Sequence, residues 1–338
     1  MAAPLNGKAR AKSDLTAGAL ITVFGGSGFL GAHVVQALGR RGYRVRVAVR
    51  RPNVALYLKT SGGVGQIEPV QANIRDDASV AAAVAGASAV INLVGLLSET
   101  GKQSFDAVQI EGAARVARAA KAAGVPVLVH MSSLSADAGS ACEYARTKAE
   151  GEAAVREVYP SAVILRPAAI FGADDQLFNS IAGLARLLPV MPLICGTTRM
   201  QPVYVKDVAE AIVRAVETDA CDGKVIELGG PEVLTMRAIM ELVFKLTRRK
   251  RLLLPVPTPL AKAKAFFLQL LPSPILTVDM VRAMEADTVV SEAATAEGRT
   301  LAGLGIAATA PQAILPAYLA RYRKRGQFEP NAEPLTQD

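Results

Sequence analysis

Three side chains near the middle of the chain have the types needed to move a proton to or from an oxygen atom. Ser133 precedes Tyr144 and Lys148, which are four residues apart and so share one face of a helix. A free tyrosine has a pKa of about 10, and a nearby ammonium is expected to lower the pKa of Tyr144 by favouring the phenolate. Because a serine hydroxyl can hold a substrate oxygen, these types match carbonyl reduction or alcohol oxidation.

That chemistry needs a hydride carrier, and a glycine pattern typical of dinucleotide binding lies upstream. Gly25, Gly28 and Gly31 fall three apart, between an apolar strand at 20–24 and a helical pattern that begins at Phe29. The glycines allow a tight turn, a close approach of pyrophosphate and close helix–strand packing, and the helix N-terminus presents N–H groups to the phosphates. The alternative is an ordinary strand–helix turn without a ligand.

The end of the second predicted strand, 44–49, indicates which dinucleotide is bound. At this position an acidic residue binds the 2′-hydroxyl of NAD, whereas a basic residue accommodates the 2′-phosphate of NADP. No carboxylate is available, and Arg50 and Arg51 follow the strand instead. Two arginines can bind a phosphate bidentately, so we expect NADP(H); the alternative is a pair of solvated surface arginines.

The elements that would position these residues alternate strictly between strand and helix. This pattern predicts an α/β fold, a Rossmann-like doubly wound parallel sheet with a smaller C-terminal α/β lobe. The further predicted strands are 67–72, 89–94, 127–131 and 162–165. The helices predicted between them are 78–84, 105–123 and one that begins at 144.

Changes in composition divide the chain into four parts. Residues 1–18 and 326–338 are predicted to be flexible tails. Residues 19–172 are predicted to form the NAD(P)-binding domain, with returning segments from 200–230, and residues 173–325 the smaller lobe. In that lobe a helix at 176–188 gives way to a proline-rich stretch containing Pro189, Pro192 and Pro202.

The composition excludes several classes of protein. The 338 residues are 51% hydrophobic but only 5% aromatic, which suits an α/β fold packed with small side chains. No apolar run approaches the roughly 18 residues that span a bilayer. Three scattered cysteines and two histidines predict neither disulfides nor a metal site. The net charge of +8 suits an anionic cofactor, an acidic partner or an anionic membrane surface, and no motif predicts nucleic-acid binding.

Several motifs together resemble a known superfamily. The glycine turn, the Tyr-x-x-x-Lys and the Arg-Pro-x-x-Ile-Phe-Gly segment at 166–172 are similar to the extended short-chain dehydrogenases/reductases. Within that superfamily the chain resembles an atypical family, the NADPH-binding accessory subunits of respiratory complex I, over roughly residues 19 to 325. The segments that carry this second resemblance are HMSS (130–133), YARTKAEGE (144–152), PVYVKDVA (202–209), ELGGPE (227–232), 271–277 and 301–306.

The resemblance implies a tightly held NADPH that serves structure rather than turnover. It also implies a peripheral subunit on the cytoplasmic face of a bacterial inner membrane, or on the matrix face of the mitochondrial inner membrane, with other complex I subunits as partners. The implied contacts are Gly25, Ser27, Gly28, Phe29, Leu30 and Gly31 at the phosphates, Arg50 at the 2′-phosphate, Asn73 and Ile74 near the adenine, Leu93, Val94 and Gly95 along the cofactor, and Ser133, Tyr144, Lys148, Pro167 and Ile170 at the nicotinamide end.

Departures from the superfamily pattern leave alternatives open. Asn73 stands where Asp is usual, and the loop from Ser133 to Tyr144 is shorter than in sugar-nucleotide epimerases, which weakens an epimerase interpretation. Because Tyr144 and Lys148 are intact, the main alternative is an NADP-dependent reductase or dehydrogenase of a small or lipid-like carbonyl substrate. A regulator that senses the NADP(H) ratio without reacting is a third interpretation.

Residues 248–271 predict a contact outside the cofactor site. The basic run 248–251 precedes a helix, 260–271, that has Lys262 and Lys264 beside Phe266, Phe267 and Leu270. This pattern is typical of a segment that lies on a membrane surface or docks on a partner. The alternative is that the apolar residues pack on the smaller lobe and the charges are solvated.

Overall fold

The computed structural model describes residues 15–269 and 276–326. The predicted tails therefore fall largely outside the described residues, as does most of the 271–277 motif. The described residues divide into two compact units. The first comprises residues up to Ala168, Val205–Gly229 and Thr288–Ala308, and the second comprises Ala169–Tyr204, Gly230–Asp287 and the residues from Thr309 onward.

Strands and helices alternate along most of the chain. The strands are β1 (Leu20–Phe24), β2 (Arg44–Val49), β3 (Ile67–Gln71), β4 (Ala89–Asn92), β5 (Leu128–Met131), β6 (Val163–Pro167), β7 (Ile170–Phe171), β8 (Val190–Ile194), β9 (Arg199–Met200), β10 (Val203–Tyr204), β11 (Val225–Leu228), β12 (Leu234–Thr235) and β13 (Leu252–Val256). The helices are α1 (Phe29–Arg40), α2 (Asp77–Val84), α3 (Glu111–Ala122), α4 (Glu143–Val158), α5 (Leu177–Leu187), α6 (Val205–Glu217), α7 (Met236–Thr247), α8 (Thr258–Leu268), α9 (Val278–Ala283), α10 (Glu292–Ala296) and α11 (Pro311–Leu319).

A seven-stranded parallel sheet forms the centre of the first unit, in the order β3-β2-β1-β4-β5-β6-β11. The predicted α/β, doubly wound fold is therefore confirmed. β4 and β5 are buried along their whole length, as expected for central strands covered on both faces. The strand order reverses between β1 and β4, the position at which ligands bind in sheets of this type.

The helices of the first unit follow from apolar side chains at helical spacing. Val34, Val35 and Leu38 of α1 are completely buried, and α1 packs against α6. The predicted helix at 105–123 is interrupted, because a π-helical turn, Asp106–Ile110, precedes α3. Residues 288–308 return to this unit, where Ser291 N donates to Glu227 Oε2 and Arg299 Nη1 donates to the Val225 carbonyl oxygen.

The second unit is built from helices and short paired strands. Its main core joins α5, α7 and α11 through buried apolar residues, among them Phe178, Ile239 and Leu315. The proline-rich stretch contains β8, which pairs in parallel with β13, and Pro192 lies opposite Leu254. Within residues 15–269 and 276–326, every helix is too short or too polar to cross a membrane.

Candidate functional site

The three glycines close the turn between β1 and α1, each for a different physical reason. Gly25 has φ +78°, a conformation that side chains disfavour. A Cβ on Gly31 would lie 2.4 Å from the Gly25 carbonyl oxygen, so only glycine lets α1 approach the turn this closely. Gly28 is exposed at the N-cap of α1, and among the described side chains none caps this helix. The turn therefore presents uncapped N–H groups beside an open backbone.

The other residues predicted at the phosphates lie on the same turn. Ser27, Phe29 and Leu30 are half-buried, and the Ser27 carbonyl oxygen accepts a hydrogen bond from the Tyr57 hydroxyl at 3.3 Å. Tyr57 is 54% exposed and lies on a 3₁₀ helix, Pro52–Ser61, that follows β2. Tyr57 is not among the predicted contacts, although an aromatic residue shortly after the Arg pair is a usable sequence signal.

Residues after β4 lie against the glycine turn. The register of the sheet pairs Phe24 with Asn92, so Gly25 and Leu93 both follow the carboxyl ends of neighbouring strands. A Cβ on Gly25 would come within 3.3 Å of backbone atoms of Leu93 and Val94. Gly95 lies close to Lys148, since a Cβ on Gly95 would be 3.1 Å from Lys148 Nζ.

An open cavity of about 450 Å³ lies beyond the ends of β2 and β3. Arg50, Asn73 and Asp76 line it, together with Gln71, Ala72 and Ser79. Two residues predicted at the adenosine end are thus brought together, whereas Ile74 is buried and packs beside Gly112. Arg51 is not among the described residues that line this cavity, so the pairing of two arginines on one phosphate stays a prediction.

Ser133, Tyr144 and Lys148 come together as their spacing predicts. Ser133 follows β5, and its hydroxyl shares hydrogen bonds with the Tyr144 and Ser135 hydroxyls. Lys148 lies one turn after Tyr144 on α4, with its Nζ 5.9 Å from the tyrosine ring centroid. The Phe105 ring packs edge-on against the Tyr144 ring. This arrangement can hold an oxygen atom between two hydroxyl groups.

The pKa of Tyr144 is shifted in the direction opposite to the predicted one. Burial raises the pKa of Tyr144 above its ordinary value, and the hydrogen bond from Ser133 opposes that shift only in part. The predicted lowering by Lys148 is therefore not observed. Lys148 is 6% exposed and donates to the Met131 carbonyl oxygen at 3.3 Å, and burial lowers its own pKa to about 8, against a smaller upward effect from Glu152.

Glu152 and Ser132 are two polar residues outside the predicted set. Glu152 acts on the charge of Lys148, and Ser132 follows Met131, whose carbonyl oxygen accepts from Lys148. Glu152 is buried and accepts two hydrogen bonds from Arg166, at 2.8 and 2.7 Å. The Ser132 hydroxyl is 4% exposed and has no hydrogen-bond partner among the described residues. The Ser-Ser doublet after β5, and a Glu four residues after Lys148, were the available sequence signals.

The last two predicted contacts, Pro167 and Ile170, fall in different units. Pro167 ends β6 in the first unit, is buried, and accepts a hydrogen bond from Leu134 N. Ile170 lies on β7 of the second unit, which pairs with β10. The first unit therefore fits a dinucleotide on its own features: an open glycine turn with uncapped N–H groups, and a cavity beside a cation at the end of β2.

Comparison with known proteins agrees with this geometry. Residues 21–229 match the NAD dependent epimerase/dehydratase family. The chain is 37% identical to the NADH dehydrogenase (ubiquinone) 1 alpha subcomplex subunit 9, mitochondrial, of Arabidopsis thaliana, over 81% of this chain and 72% of that protein. It is 32% identical to the NADH-ubiquinone oxidoreductase 40 kDa subunit, mitochondrial, of Neurospora crassa, over 91% of this chain and 80% of that protein.

A shorter similarity and one solved structure complete the comparison. The chain is 35% identical to the ceramide reductase of Caulobacter vibrioides, over 59% of this chain and 61% of that protein. The fold matches the NADPH-dependent quinone oxidoreductase QOR2 of Escherichia coli, crystallised with NADPH, at a TM-score of 0.69 and 21% identity, over 89% of this chain and 99% of that chain. The predicted resemblance is confirmed: this chain belongs to the NAD dependent epimerase/dehydratase family, in the branch that contains the alpha subcomplex subunit 9 and 40 kDa proteins.

Proposed function

We propose that this chain is an accessory subunit of a respiratory NADH:ubiquinone oxidoreductase and holds NADP(H) as a structural group. The observation that carries the proposal is the 37% identity to a subunit 9 protein over 72% of that protein's length. A similar level of identity extends over 80% of the 40 kDa subunit. The expected partners are therefore the other subunits of that complex.

NADPH is the nucleotide that the chain's own residues favour. Gly25, Gly28 and Gly31 would hold the pyrophosphate, and Arg50 would meet the 2′-phosphate. When bound, the nucleotide would supply a transferable hydride at its nicotinamide. Carbonyl reduction would also need a proton donor, and Tyr144, whose pKa is raised by burial, would enter that step as the neutral phenol, which can donate.

The test is purification from native membranes in mild detergent. Denaturation would release bound nucleotide for identification, and mass spectrometry would name the co-purifying chains. Stoichiometric NADPH together with respiratory complex subunits is the expected result. A free protein with readily exchangeable nucleotide would overturn the structural role.

We place the subunit at the surface of a respiratory membrane, on the cytoplasmic face in a bacterium or the matrix face in a mitochondrion, with contact through residues 248–271. A cavity of about 550 Å³ is lined by Phe244, Lys245 and the basic run Arg248–Arg251. On α8, Phe266 and Phe267 are 54% and 71% exposed, so this pair does not pack into the core of the unit. A segment that carries both exposed cations and exposed aromatic rings suits an anionic lipid surface.

Vesicle sedimentation tests the membrane contact. The protein should bind vesicles that contain phosphatidylglycerol and not vesicles of phosphatidylcholine alone. Lys245→Glu with Lys250→Glu should abolish binding, because both side chains are exposed cations that line this cavity. Arg118→Glu with Lys121→Glu makes the same change of charge at exposed positions of α3 and should leave binding intact. An equal loss of vesicle binding in the two double variants would reject this contact and would indicate that net charge alone attracts the protein to the vesicles.

A reductase of a lipid-like carbonyl substrate is the second candidate. Two observations favour it: Ser133, Tyr144 and Lys148 are assembled, and the ceramide reductase of Caulobacter vibrioides is 35% identical over 59% of this chain. In this role Ser133 would orient a substrate carbonyl oxygen, and Tyr144 would donate its phenolic proton to that oxygen.

Tyr144→Phe separates the two candidates. An accessory subunit should keep its nucleotide and its assembly into the complex, whereas a reductase should lose roughly 100-fold or more in rate on a carbonyl substrate. Tyr159→Phe is the matched control, since it removes a buried hydroxyl that donates to the Val125 carbonyl oxygen. Loss of assembly in Tyr144→Phe but not in the control would assign Tyr144 a structural contact.

A further inference from the structure

Arg50 is held by a residue from a loop that is far away in sequence. Its Nη1 donates to Oε1 of Gln103 at 2.5 Å, across 53 positions of sequence. Gln103 lies in the segment between β4 and the π-helical turn, and it is half-buried whereas Arg50 is exposed. An exposed arginine has many rotamers, so a fixed acceptor decides where its guanidinium points.

Gln103 is itself fixed by the backbone around it. Its N–H donates to the Thr100 carbonyl oxygen at 3.0 Å, and its carbonyl oxygen accepts from Thr100 N at 3.1 Å. Beside it, Arg75 Nη1 donates to the Lys102 carbonyl oxygen at 2.6 Å, and Glu99 Oε1 accepts from Phe105 N at 2.7 Å. These four bonds make the segment 99–105 a rigid support.

The cavity beyond β2 leaves the recognition of a phosphate to few groups. Among the described residues that line it, Arg50 carries a positive charge and Asp76 a negative one. The Asp76 carboxylate accepts from Ser79 N and so caps α2. The Asp76 carboxylate would repel a 2′-phosphate, so attraction of that phosphate depends on keeping the Arg50 guanidinium in place.

We propose that Gln103 is a positioning residue that aims Arg50 and thereby sets the preference for a 2′-phosphorylated dinucleotide over its 2′-hydroxyl counterpart. This inference rests on the proposed function, in which the first unit binds NADP(H). The neutral amide oxygen orients the guanidinium without neutralising it. The amide also has N–H groups that can donate to a phosphate, which a carboxylate at the same position lacks.

Substitution at 103 tests this directly in the full chain after bound nucleotide has been exchanged. NADPH and NADH binding would be followed by nicotinamide fluorescence, which is free of tryptophan background because the chain contains no Trp. Gln103→Glu should weaken NADPH binding roughly 10- to 100-fold and change NADH binding less than about 2-fold, because the new carboxylate pairs with Arg50 and repels the phosphate. Gln103→Ala should weaken NADPH binding by roughly 3- to 10-fold.

Two controls make the outcomes distinct. Gln269→Glu makes the same change in the second unit and should leave both affinities unchanged. Displacement of NADPH by 2′,5′-ADP should weaken in Gln103→Glu, whereas displacement by 5′-AMP should not. Equal losses for NADPH and NADH, or an unchanged NADPH affinity in Gln103→Glu, would overturn the role of Gln103. A wild-type chain that binds neither nucleotide would overturn the proposed cofactor, and the role of Gln103 with it.

Discussion

Tyr144 and Lys148 both depart from their ordinary acidities because they are buried. Burial disfavours the charged form of each, so the pKa of the tyrosine rises and that of the lysine falls to about 8. Both shifts make the charged forms less favourable, the phenolate of Tyr144 and the ammonium of Lys148. The residue types that suggest an acid–base pair therefore sit in surroundings that keep both groups closer to neutral.

His130 predicts how stability depends on pH. It is 2% exposed on β5, and burial, with a smaller effect from Lys148, lowers its pKa to about 3. Below the ordinary histidine pKa of about 6.5, His130 binds a proton in the unfolded chain but stays neutral in the folded chain. The contribution of His130 to the free energy of unfolding is therefore fully present above that pH and decreases as the pH drops toward 3. Between about pH 7 and about pH 5 this residue should account for a loss of about 2 kcal/mol.

His130→Gln should remove that part of the acid sensitivity while its amide can still meet Asn92, whose Nδ2 lies 3.2 Å from His130 Nδ1. Urea unfolding at the two pH values measures it. His33→Gln, which replaces the other histidine, controls for a change of composition. The explanation fails if His130→Gln loses as much stability on acidification as the wild type.

Gly31 and Gly28 should respond differently to the same added methyl group. At Gly31 the new Cβ would lie 2.4 Å from the Gly25 carbonyl oxygen and 2.6 Å from the Gly26 Cα, so the helix and the turn must separate. At Gly28 its nearest neighbour, the Gly25 carbonyl oxygen, is 3.3 Å away. Gly31→Ala should cost about 2 kcal/mol or more, whereas Gly28→Ala should cost less than about 1 kcal/mol.

Nucleotide binding provides the second readout of this pair. Gly28→Ala should weaken NADPH binding in a stable protein, because the methyl group occupies the exposed face at the start of α1. Thermal unfolding without nucleotide, followed by titration with NADPH, measures both effects. A Gly28→Ala protein with wild-type affinity would move the proposed phosphate position away from this turn.

At the scale of elements, the sequence predicts best where local pattern and tertiary packing agree. β1 and β2 match their predicted bounds, because apolar or alternating runs end at glycine or Arg-Pro. β8 is harder to predict, since Pro189 and Pro192 argue against a strand. Among the described strands β8 pairs with β13 alone, so its other edge tolerates a missing N–H. The contact between Arg50 and Gln103 spans 53 positions and follows no periodicity, so only the structure reveals it.

The N-cap of α7 gives a prediction for a single element. Thr235 is the N-cap residue of this helix, and its Oγ1 accepts from Ala238 N at 3.1 Å. Thr235→Ala removes the acceptor and should cost about 1 kcal/mol, whereas Thr235→Ser keeps the oxygen and should cost only a few tenths. Urea unfolding of the two variants measures the difference. Equal stabilities would mean that packing on α5 and α11, not the cap, fixes the start of α7.

At the scale of the whole molecule, neither unit is a continuous piece of chain. The first unit needs Val205–Gly229, which supplies α6 and β11, and also Thr288–Ala308. β11 pairs with β6, and α6 packs on α1, so a fragment that ended after the sixth strand would expose both surfaces. The charge of +8 is likewise a property of the full chain and favours anionic partners of any kind.

Bound nucleotide should therefore stabilise the first unit through segments that are far apart in sequence. A ligand that binds only the folded state adds about 4 kcal/mol at 1,000 times its dissociation constant. Hydrogen exchange of the full chain with saturating NADPH should show added protection at the glycine turn, at the end of β2 and at residues 93–95. Peptides from β8 and β13 provide the internal comparison, because these strands pair with each other in the second unit.

The pattern of protection, and not its size, decides between two origins of the stabilisation. Contacts at the phosphates, the 2′-phosphate and the strand ends should protect the three segments together, since Gly25 lies against Leu93 and Val94 at the carboxyl edge of one sheet. With NADH in place of NADPH, protection should persist at the glycine turn and weaken near Arg50. Uniform protection across both units would instead indicate a global effect and would contradict a site built at the carboxyl edge of this sheet.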